Sequence, residues 1–226
     1  MAETASAEYL PGDPRFGLND EQLREYYRRK PAQWVITAWY SPGTAETRGI
    51  ELPAQKRYVA GFGDRVIGYG HFVSDDGTET LATTFFMQLD DRAAAEAFMK
   101  DEPLNRAGAY REVTIQRWSN SFQKRQADYA RKGLQQYFFT GWKIDEYEAF
   151  RPFHLTAHEQ YFKDNEAHFI FRGPLRSPDG TENIGTALLL ELPDRAAADD
   201  FWNNEPFAAN GGYKPDYSIH RWVFGD

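Results

Sequence analysis

The sequence predicts an α+β fold made of two βαββαβ repeats that pack sheet against sheet. Two observations carry this prediction: the chain aligns with itself at an offset of 103 residues, and strand and helix patterns follow the same order in both halves. Between Gln33 and Tyr110, the alignment gives 26 identities in 78 positions without a gap. A repeat of this length indicates a duplicated structural unit, and 226 residues suffice for two units of roughly 100 residues each.

Composition and charge narrow the class of protein. A hydrophobic content of 41% and an aromatic content of 16% favour a buried core over disorder. A net charge of -8 argues against a nucleic-acid partner, which needs a concentrated basic face. The absence of cysteine excludes disulfides and thiolate catalysis. No stretch approaches the ~20 apolar residues of a membrane span, and Met1 to Asp20 lacks a signal-peptide pattern. We therefore expect a cytoplasmic protein without a membrane partner.

The region before the first repeat, residues 1–32, is expected to contain an irregular lead-in and a short helix. Asn19 is a typical helix N-cap, and Gln22 stands at the capping-box position. Pro31 ends the helix because the residue before a proline is disfavoured in the helical conformation.

Repeat 1 spans residues 33–118, and its elements alternate in the order strand, helix, strand, strand, helix, strand. This order is that of a ferredoxin-like unit. Ser74-Asp75-Asp76-Gly77 is a hairpin turn signal between the second and third strands. The expected strands lie at 34–40, 66–73, 83–89 and 113–118, and the expected helices at 49–60 and 91–100.

Repeat 2 spans residues 136–226 and follows the same order after a partly helical surface connector, residues 119–135. Its first helix is expected around residues 153–163. A four-stranded sheet with both helices on one face leaves its other face bare, so the two repeats are expected to cover each other and close a barrel. Trp39 and Trp142, on the first strand of each repeat, are placed to line a cavity between the sheets. Core packing explains their retention in both copies equally well.

Two segments resemble the motifs of a known family, the YCII-related domains. Arg151-Pro152-Phe153-His154-Leu155 resembles the Arg-Pro-x-His-Leu segment of that family. The stretches from Glu205 to Tyr213 and from Glu102 to Tyr110 are similar to its Asp-Pro-aromatic ending. The resemblance covers both repeats and implies a pseudo-dimeric α+β barrel of the dimeric α+β barrel superfamily.

The same resemblance implies a class of function. Members hold a histidine and an acidic residue in a cleft beside the sheet, and they include a dehydrochlorinase of chlorinated aromatic breakdown. More distant barrel relatives include muconolactone isomerases and cofactor-free monooxygenases. No cofactor is typical of this branch, and a homodimer of the pseudo-dimeric chain is expected because barrel relatives assemble.

His154 is the candidate general acid/base, because histidine titrates near neutrality and can both accept and donate a proton. Glu205 is expected to orient His154 or to share its proton work. Both repeats carry glutamate where the family usually has aspartate. His154 aligns with Glu51, so histidine chemistry is expected at one site per chain, while the other site is degenerate or uses Glu51 differently.

Further polar and aromatic residues are candidates for substrate binding. Arg151 and its repeat 1 equivalent Arg48 can bind a carboxylate bidentately, or form surface ion pairs. Tyr161 recurs in repeat 1 as Tyr58, and His71 lies on a strand where it can face the cavity.

A metal site is not expected. His154 and His158 have the i,i+4 spacing of helical metal ligands, but no third ligand is located.

The sequence favours a cofactor-free enzyme that isomerises, or eliminates a group from, a small unsaturated or aromatic-derived carboxylic acid. The chain lacks a phosphate-binding loop, a nucleophile elbow and a dinucleotide fingerprint, which disfavours kinases, hydrolases and nicotinamide enzymes. A non-catalytic small-molecule-binding or assembly protein is the main alternative, because repeat 1 lacks the motif histidine. A cofactor-free monooxygenase is a further alternative.

Overall fold

Helices and strands follow the same order in both halves of the chain. The computed structural model describes residues 16–122 and 124–225, so most of the expected irregular lead-in lies outside the described residues. Among the described helices, none is long and apolar enough to cross a membrane. The helices are α1 (Asp20–Arg29), α2 (Ala45–Ala60), α3 (Arg92–Asp101), α4 (Pro103–Arg106), α5 (Tyr147–Asp164), α6 (Arg195–Asn204) and α7 (Pro206–Ala209). The strands are β1 (Gln33–Tyr40), β2 (Val66–Val73), β3 (Thr80–Gln88), β4 (Tyr110–Trp118), β5 (Gln135–Trp142), β6 (Phe169–Arg176), β7 (Asn183–Leu192) and β8 (Ser218–Phe224).

The capping box expected at the start of α1 is confirmed. The Asn19 side chain accepts a hydrogen bond from the Gln22 backbone N–H at 2.9 Å, and the Gln22 side chain accepts one from the Asn19 N–H at 2.9 Å. The α1 helix lies against the barrel, where its Tyr27 ring packs 3.8 Å from the guanidinium of Arg176.

The first helix of repeat 2 begins earlier than the sequence pattern indicates. It was expected to begin near residue 153, whereas α5 begins at Tyr147. Tyr147 is only 4% exposed, and its ring lies 5.5 Å from that of Phe207. This contact joins segments that are far apart in sequence, so helical periodicity alone does not reveal it.

The eight strands form one closed barrel, in the order β1-β3-β2-β8-β5-β7-β6-β4. Each repeat contributes a ferredoxin-like antiparallel sheet, as the sequence predicts. The repeats also hydrogen-bond to each other, because β2 pairs with β8 and β4 pairs with β6, both antiparallel. Closure within one chain therefore removes the exposed sheet edges that a separate repeat would present.

The barrel interior is a packed aromatic and aliphatic core. Strand residues alternate, so Val35 faces the interior while Trp34 and Ile36 pack under the helices. Trp39 and Trp142 pack against the interior core. Side chains of this core therefore take the place of the cavity that the sequence predicts beside the two tryptophans, since the interior of an eight-stranded barrel is just wide enough for side chains to fill.

Each repeat supplies an arginine to the hairpin turn of the other repeat. Arg221 Nη1 donates to the carbonyl of Asp75 at 2.7 Å, and Arg117 Nη1 donates to the carbonyl of Pro178 at 3.1 Å. These contacts lie beside the Asp-Gly-Thr-Glu sequence that both repeats share. The retention of this turn therefore has a structural reason at the seams between the repeats.

A buried carboxylate holds the connector against repeat 2. Glu191 has no exposed surface, and its oxygens accept hydrogen bonds from the Tyr129 hydroxyl at 2.7 Å and from the backbone N–H groups of Lys132 and Leu134 at 2.9 and 3.1 Å. Burial alone would raise the pKa of Glu191, but these hydrogen bonds hold it below its usual value. Glu191 therefore has a structural role.

Candidate functional site

A buried glutamate lies between α6 and α7, on the helix side of the repeat 2 sheet. Glu205 is 1% exposed. Its carboxylate accepts hydrogen bonds from the backbone N–H groups of Phe207 at 3.1 Å and Ala208 at 2.9 Å. These bonds cap the first turn of α7 and fix the orientation of the carboxylate.

His158 on α5 contacts this carboxylate. Its Nδ1 lies 2.6 Å from Glu205 Oε1. The imidazole stacks on the Phe207 ring at 4.0 Å with an interplanar angle of 9° and lies 4.2 Å from the Phe162 ring. The side chain of His158 is 18% exposed, so part of the ring is open to solvent.

The hydrogen bonds determine which nitrogen of His158 carries the proton. A carboxylate that already accepts two backbone N–H donors offers only lone pairs to the imidazole, so Nδ1 carries the hydrogen and donates it to Glu205. The lone pair of Nε2 then remains available as a base. No other described residue hydrogen-bonds to Nε2. The pair is therefore arranged for proton transfer.

The pairing of Glu205 with His154 that the sequence suggested is not the one that forms. His154 lies one helical turn before His158, is half-buried, and stacks on the Phe150 ring at 4.4 Å. Four residues of α-helix correspond to about 6 Å along the axis, so the two imidazoles cannot occupy the same position against one carboxylate. The repeat alignment contains the signal that was missed, because His158 aligns with Gln55 and Glu205 with Glu102.

Positive charges lie near the start of α5. Lys143 is mostly buried, and its ammonium forms an ion pair with Glu148 at 2.9 Å and lies 3.9 Å from the centre of the Tyr147 ring. Burial lowers the pKa of Lys143, and the charges of Arg151 and Arg176 lower it further, while Glu148 opposes both effects. Arg151, a predicted substrate-binding residue, is thus accompanied by two cations that sequence reasoning did not select.

Tyr161 makes a structural hydrogen bond instead of lining the cleft. Its hydroxyl donates to the backbone carbonyl of Phe201 at 3.0 Å, and the equivalent Tyr58 donates to the carbonyl of Phe98 at 2.8 Å. Both bonds fasten the first helix of a repeat to its second helix. The retention of this tyrosine is therefore explained by packing.

In repeat 1, an amide replaces the imidazole beside the glutamate. Gln55 Nε2 donates to Glu102 Oε1 at 2.8 Å and to the Tyr110 hydroxyl at 3.0 Å, and Gln55 Oε1 accepts from the Tyr69 hydroxyl at 3.0 Å. Both Gln55 and Glu102 have no exposed surface. Glutamine has no titrating nitrogen, so this position cannot exchange protons as His158 can.

His71 and Arg48 lie together in repeat 1. His71 Nδ1 lies 3.1 Å from the Thr83 hydroxyl, on the helix side of the sheet and not in the barrel interior. The Arg48 guanidinium lies 4.4 Å from the centre of the Tyr40 ring, and its Nη1 donates to the carbonyl of Thr80 at 2.9 Å. Neither residue contacts the repeat 2 cleft, so the substrate-binding residues expected from the sequence fall into two separate places.

Two concave surfaces lie away from these residues. A groove of about 490 Å³ follows α1 at Tyr26 and Arg29, and a cavity of about 290 Å³ lies between Gln33 and Lys124. The catalytic hypothesis does not depend on either one, because neither contains a histidine or an acid–base pair. Within the described part of the chain, no cluster of three or more His, Cys, Asp or Glu residues could hold a metal ion.

Solved structures with similar architecture include enzymes and a putative enzyme. A mutant chlorite dismutase from Candidatus Nitrospira defluvii superposes with a TM-score of 0.58 at 10% identity, covering 90% of this chain and 96% of that chain. A putative monooxygenase from Lactobacillus acidophilus superposes with a TM-score of 0.52 at 10% identity, covering 86% and 94%. At these identities the similarity shows the shared dimeric α+β barrel fold.

A further solved structure covers less than half of this chain. The 5-chloro-2-hydroxyhydroquinone dehydrochlorinase from Burkholderia phenoliruptrix has a TM-score of 0.37 at 16% identity, covering 41% of this chain and 98% of that chain. No curated protein matches the chain significantly. The model of the YCII-related domain matches residues 32–119 and again residues 130–223, which together form most of the sequence. The chain therefore belongs to the YCII-related domain family and contains two copies of its domain.

Proposed function

We propose that the protein is a cofactor-free enzyme that transfers a proton on a small unsaturated or aromatic-derived carboxylic acid. The observation that carries the proposal is the 2.6 Å contact between His158 Nδ1 and the buried Glu205, which leaves Nε2 available. His158 takes the general acid/base role that the family resemblance first suggested for His154.

Two reactions fit a single imidazole base. In both, His158 Nε2 removes a proton from a carbon activated by the conjugated system of the acid, while Glu205 stabilises the resulting imidazolium. In an isomerisation, the same nitrogen returns the proton to another carbon of that system. In an elimination, the electron pair of the broken C–H bond forms a C=C bond, the leaving group departs with its own bonding pair, and His158 releases its proton to water.

The charges near the start of α5 support an anionic substrate. Arg151 and Lys143 provide positive charge beside one another, and Arg176 adds to it. A guanidinium can bind a carboxylate through two parallel hydrogen bonds. Because the whole chain carries a net charge of -8, a local group of cations is the feature that would draw an acid to this part of the surface.

The test is the substitution His158→Gln in the full chain. Glutamine is suitable because Gln55 makes the equivalent hydrogen bond to Glu102 at 2.8 Å in repeat 1, so the framework accepts it. The assay follows deuterium incorporation and turnover by NMR for muconate-like and chlorinated aromatic-derived acids in D2O. We expect exchange and turnover to fall by about 10²–10⁴-fold, the usual contribution of a general base.

The matched control is His154→Gln, one turn earlier on the same helix. We expect this variant to keep wild-type turnover, because His154 stacks on Phe150 and does not hydrogen-bond to Glu205. Full activity of His158→Gln would end the proposed mechanism. Acids that bind without exchange or turnover would favour the binding alternative, and oxygen uptake with a hydroxylated aromatic would favour a monooxygenase.

Homodimer formation and a cytoplasmic location remain predictions. Phe153 on α5 is 84% exposed and the equivalent Ile50 on α2 is 67% exposed, so an apolar side chain faces outward at the same place in both repeats. Light scattering after size-exclusion chromatography measures the mass directly. A monomer of 26.1 kDa would contradict the homodimer.

A further inference from the structure

We propose that the cleft of repeat 1 is a second ligand site, which binds a small organic anion through Arg48 and His71 without taking a proton from it. This site is separate from the one proposed at His158, and its evidence is independent of any reaction there. The proposal rests on the hydrogen bonds, the charges and the sizes of the side chains on the helix side of the repeat 1 sheet.

Each repeat brings a histidine next to its cleft, but from a different element. In repeat 2 the histidine is His158 on the helix, and the strand position holds Pro174. In repeat 1 the helix position holds Gln55, and the histidine is His71 on β2. The imidazole of repeat 1 therefore approaches from the sheet, and its neighbour is the Thr83 hydroxyl instead of a glutamate.

The neighbours of His71 form a chain of hydroxyl groups. The Tyr40 hydroxyl lies 2.6 Å from Thr83 Oγ1, and Thr83 Oγ1 lies 3.1 Å from His71 Nδ1. If Tyr40 donates to Thr83 and Thr83 donates to Nδ1, then Nε2 of His71 carries the hydrogen. No described residue accepts that hydrogen. An anion beside Nε2 would complete the chain and select this arrangement.

Positive charge comes from α2. Arg48 Nη1 donates a hydrogen bond to the carbonyl of Thr80, but Arg48 Nε is buried and has no hydrogen-bond partner. A buried N–H group without a partner is costly, and a carboxylate oxygen would satisfy it. The charges of Arg48 and Lys56 act on His71, since both lower the pKa of its imidazole in addition to the larger effect of burial.

At three positions, the cleft of repeat 1 has smaller side chains than that of repeat 2. In repeat 2, Phe150 stacks on His154, Phe207 stacks on His158, and Tyr147 packs against Phe207. The equivalent positions of repeat 1 carry two threonines and a leucine. The residues of repeat 2 are Tyr147, Phe150 and Phe207, and their counterparts in repeat 1 are Thr44, Thr47 and Leu104.

The same contacts argue against proton transfer at this place. Glu102 accepts hydrogen bonds from the Gln55 side chain and from the backbone N–H of Asn105, so its carboxylate does not stabilise a charge on His71. Burial, together with the smaller effect of the neighbouring cations, lowers the pKa of His71 to about 4. His71 therefore stays neutral near pH 7 and acts as a hydrogen-bond donor to the ligand.

The experiment is a titration of the full chain with benzoate and with fumarate, followed through the imidazole NMR signals of the five histidines. We expect a saturable shift of the His71 signal. Arg48→Gln and His71→Gln should each weaken this binding at least tenfold, and Arg48→Lys, which keeps the charge, should weaken it less. Turnover at the repeat 2 site should stay at the wild-type level in all three variants.

The matched control is His158→Gln, which should leave the affinity of the repeat 1 site unchanged. This control separates the two proposals, because loss of turnover in that variant does not affect binding at His71. Unchanged affinity in both Arg48→Gln and His71→Gln, or the absence of a saturable His71 shift with either acid, would overturn the proposal. Arg48→Lys serves as the folded comparison if Arg48→Gln fails to fold.

Discussion

The clefts of the two repeats share a carboxylate and differ in what faces it. Glu102 and Glu205 are both buried, and both accept a backbone N–H from the short helix that follows them. An amide, Gln55, faces the first carboxylate, and an imidazole, His158, faces the second. One position on the first helix of each repeat therefore separates a fixed hydrogen-bond network from a pair that can exchange protons.

The same comparison gives a structural reason for the glutamate in each repeat. Each glutamate caps a short helix and closes the connection between the second helix and the last strand of its repeat. In repeat 1, burial raises the pKa of Glu102, while hydrogen bonds from Asn105 and Gln55 oppose the increase. Retention of a residue in both repeats is therefore no proof of a catalytic role.

The largest expected effect is a loss of turnover when Glu205, but not Glu102, loses its charge. Glu205→Gln keeps a hydrogen-bond acceptor for His158 but removes the negative charge that stabilises its imidazolium. We expect turnover of the acid substrate to fall by about 10²–10⁴-fold, since the Glu205 carboxylate both orients the His158 imidazole and stabilises its protonated form. The control, Glu102→Gln, should leave kcat unchanged. Equal losses of kcat in the two variants would show that the carboxylates act only on folding.

The second prediction concerns pH and the histidine of repeat 1. The pKa of His71 is about 4 in the folded protein, below the value near 6.5 expected in the unfolded chain. The unfolded chain therefore binds the proton first, so stability falls as the pH decreases from about 6.5 to 4, by up to about 3 kcal/mol. His71→Gln should lose this part of the pH dependence.

Urea denaturation of both proteins between pH 7 and pH 4 measures the difference. The raised pKa of Glu102 acts in the opposite direction, and the lowered pKa of His220 acts in the same direction. Both groups are present in wild type and variant, so their effects cancel in the comparison. The same pH slope in the two proteins would contradict a buried neutral His71.

The third prediction tests the hairpin turns at the seams. Gly77 and Gly180 have positive φ angles of 75° and 79°. A Cβ at Gly180 would lie 2.6 Å from Arg117 Cζ, and a Cβ at Gly77 would lie 2.9 Å from Arg221 Nη1. We expect Gly180→Ala and Gly77→Ala each to lower the free energy of unfolding by about 1–2 kcal/mol, with the larger loss for Gly180→Ala.

The matched control for this pair is Gly43→Ala. Gly43 has a φ of 76°, but a Cβ there would have no neighbour within 4 Å, so only backbone strain is added. Thermal unfolding of the three variants distinguishes the stability lost through backbone strain from the stability lost through the contact with the arginine side chain. A loss in Gly43→Ala as large as that in Gly180→Ala would show that the arginine contacts add nothing.

The smallest expected effect concerns the tyrosines that join the helices. Tyr58→Phe and Tyr161→Phe each remove one hydrogen bond to a backbone carbonyl, so each should lower the free energy of unfolding by about 1 kcal/mol. Turnover should be unchanged in both. A selective loss of kcat in Tyr161→Phe would return this residue to the substrate site, where sequence reasoning placed it.

Features that depend on local chain chemistry were predictable from the sequence. The capping box of Asn19 and Gln22 formed as expected, because the two residues lie three positions apart and need no tertiary partner. The repeat alignment likewise predicted the ferredoxin-like units and their closure into a barrel. The roles of Trp39 and Trp142 were harder to predict, since a half-buried ring can line a cavity or fill a core.

The sequence does not predict whether His154 or His158 contacts Glu205. Both histidines lie on the same helix one turn apart, and the motif resemblance pointed to the first. Only the distance from α5 to the start of α7 decides which imidazole reaches Glu205. That distance depends on how two helices pack across the sheet, and no local pattern contains it.

By itself, the sequence determined that the chain is duplicated and that each half forms a ferredoxin-like unit. It also determined that the two units close over each other. Both follow from the chain alone, because the repeat and the strand and helix patterns are visible in it, and a sheet with one bare face needs a cover. The tertiary structure alone decided that His158 meets Glu205 and that Gln55 meets Glu102. These pairs join residues 47 positions apart in sequence. A contact of a few ångströms between such distant residues is set by the packing of whole elements.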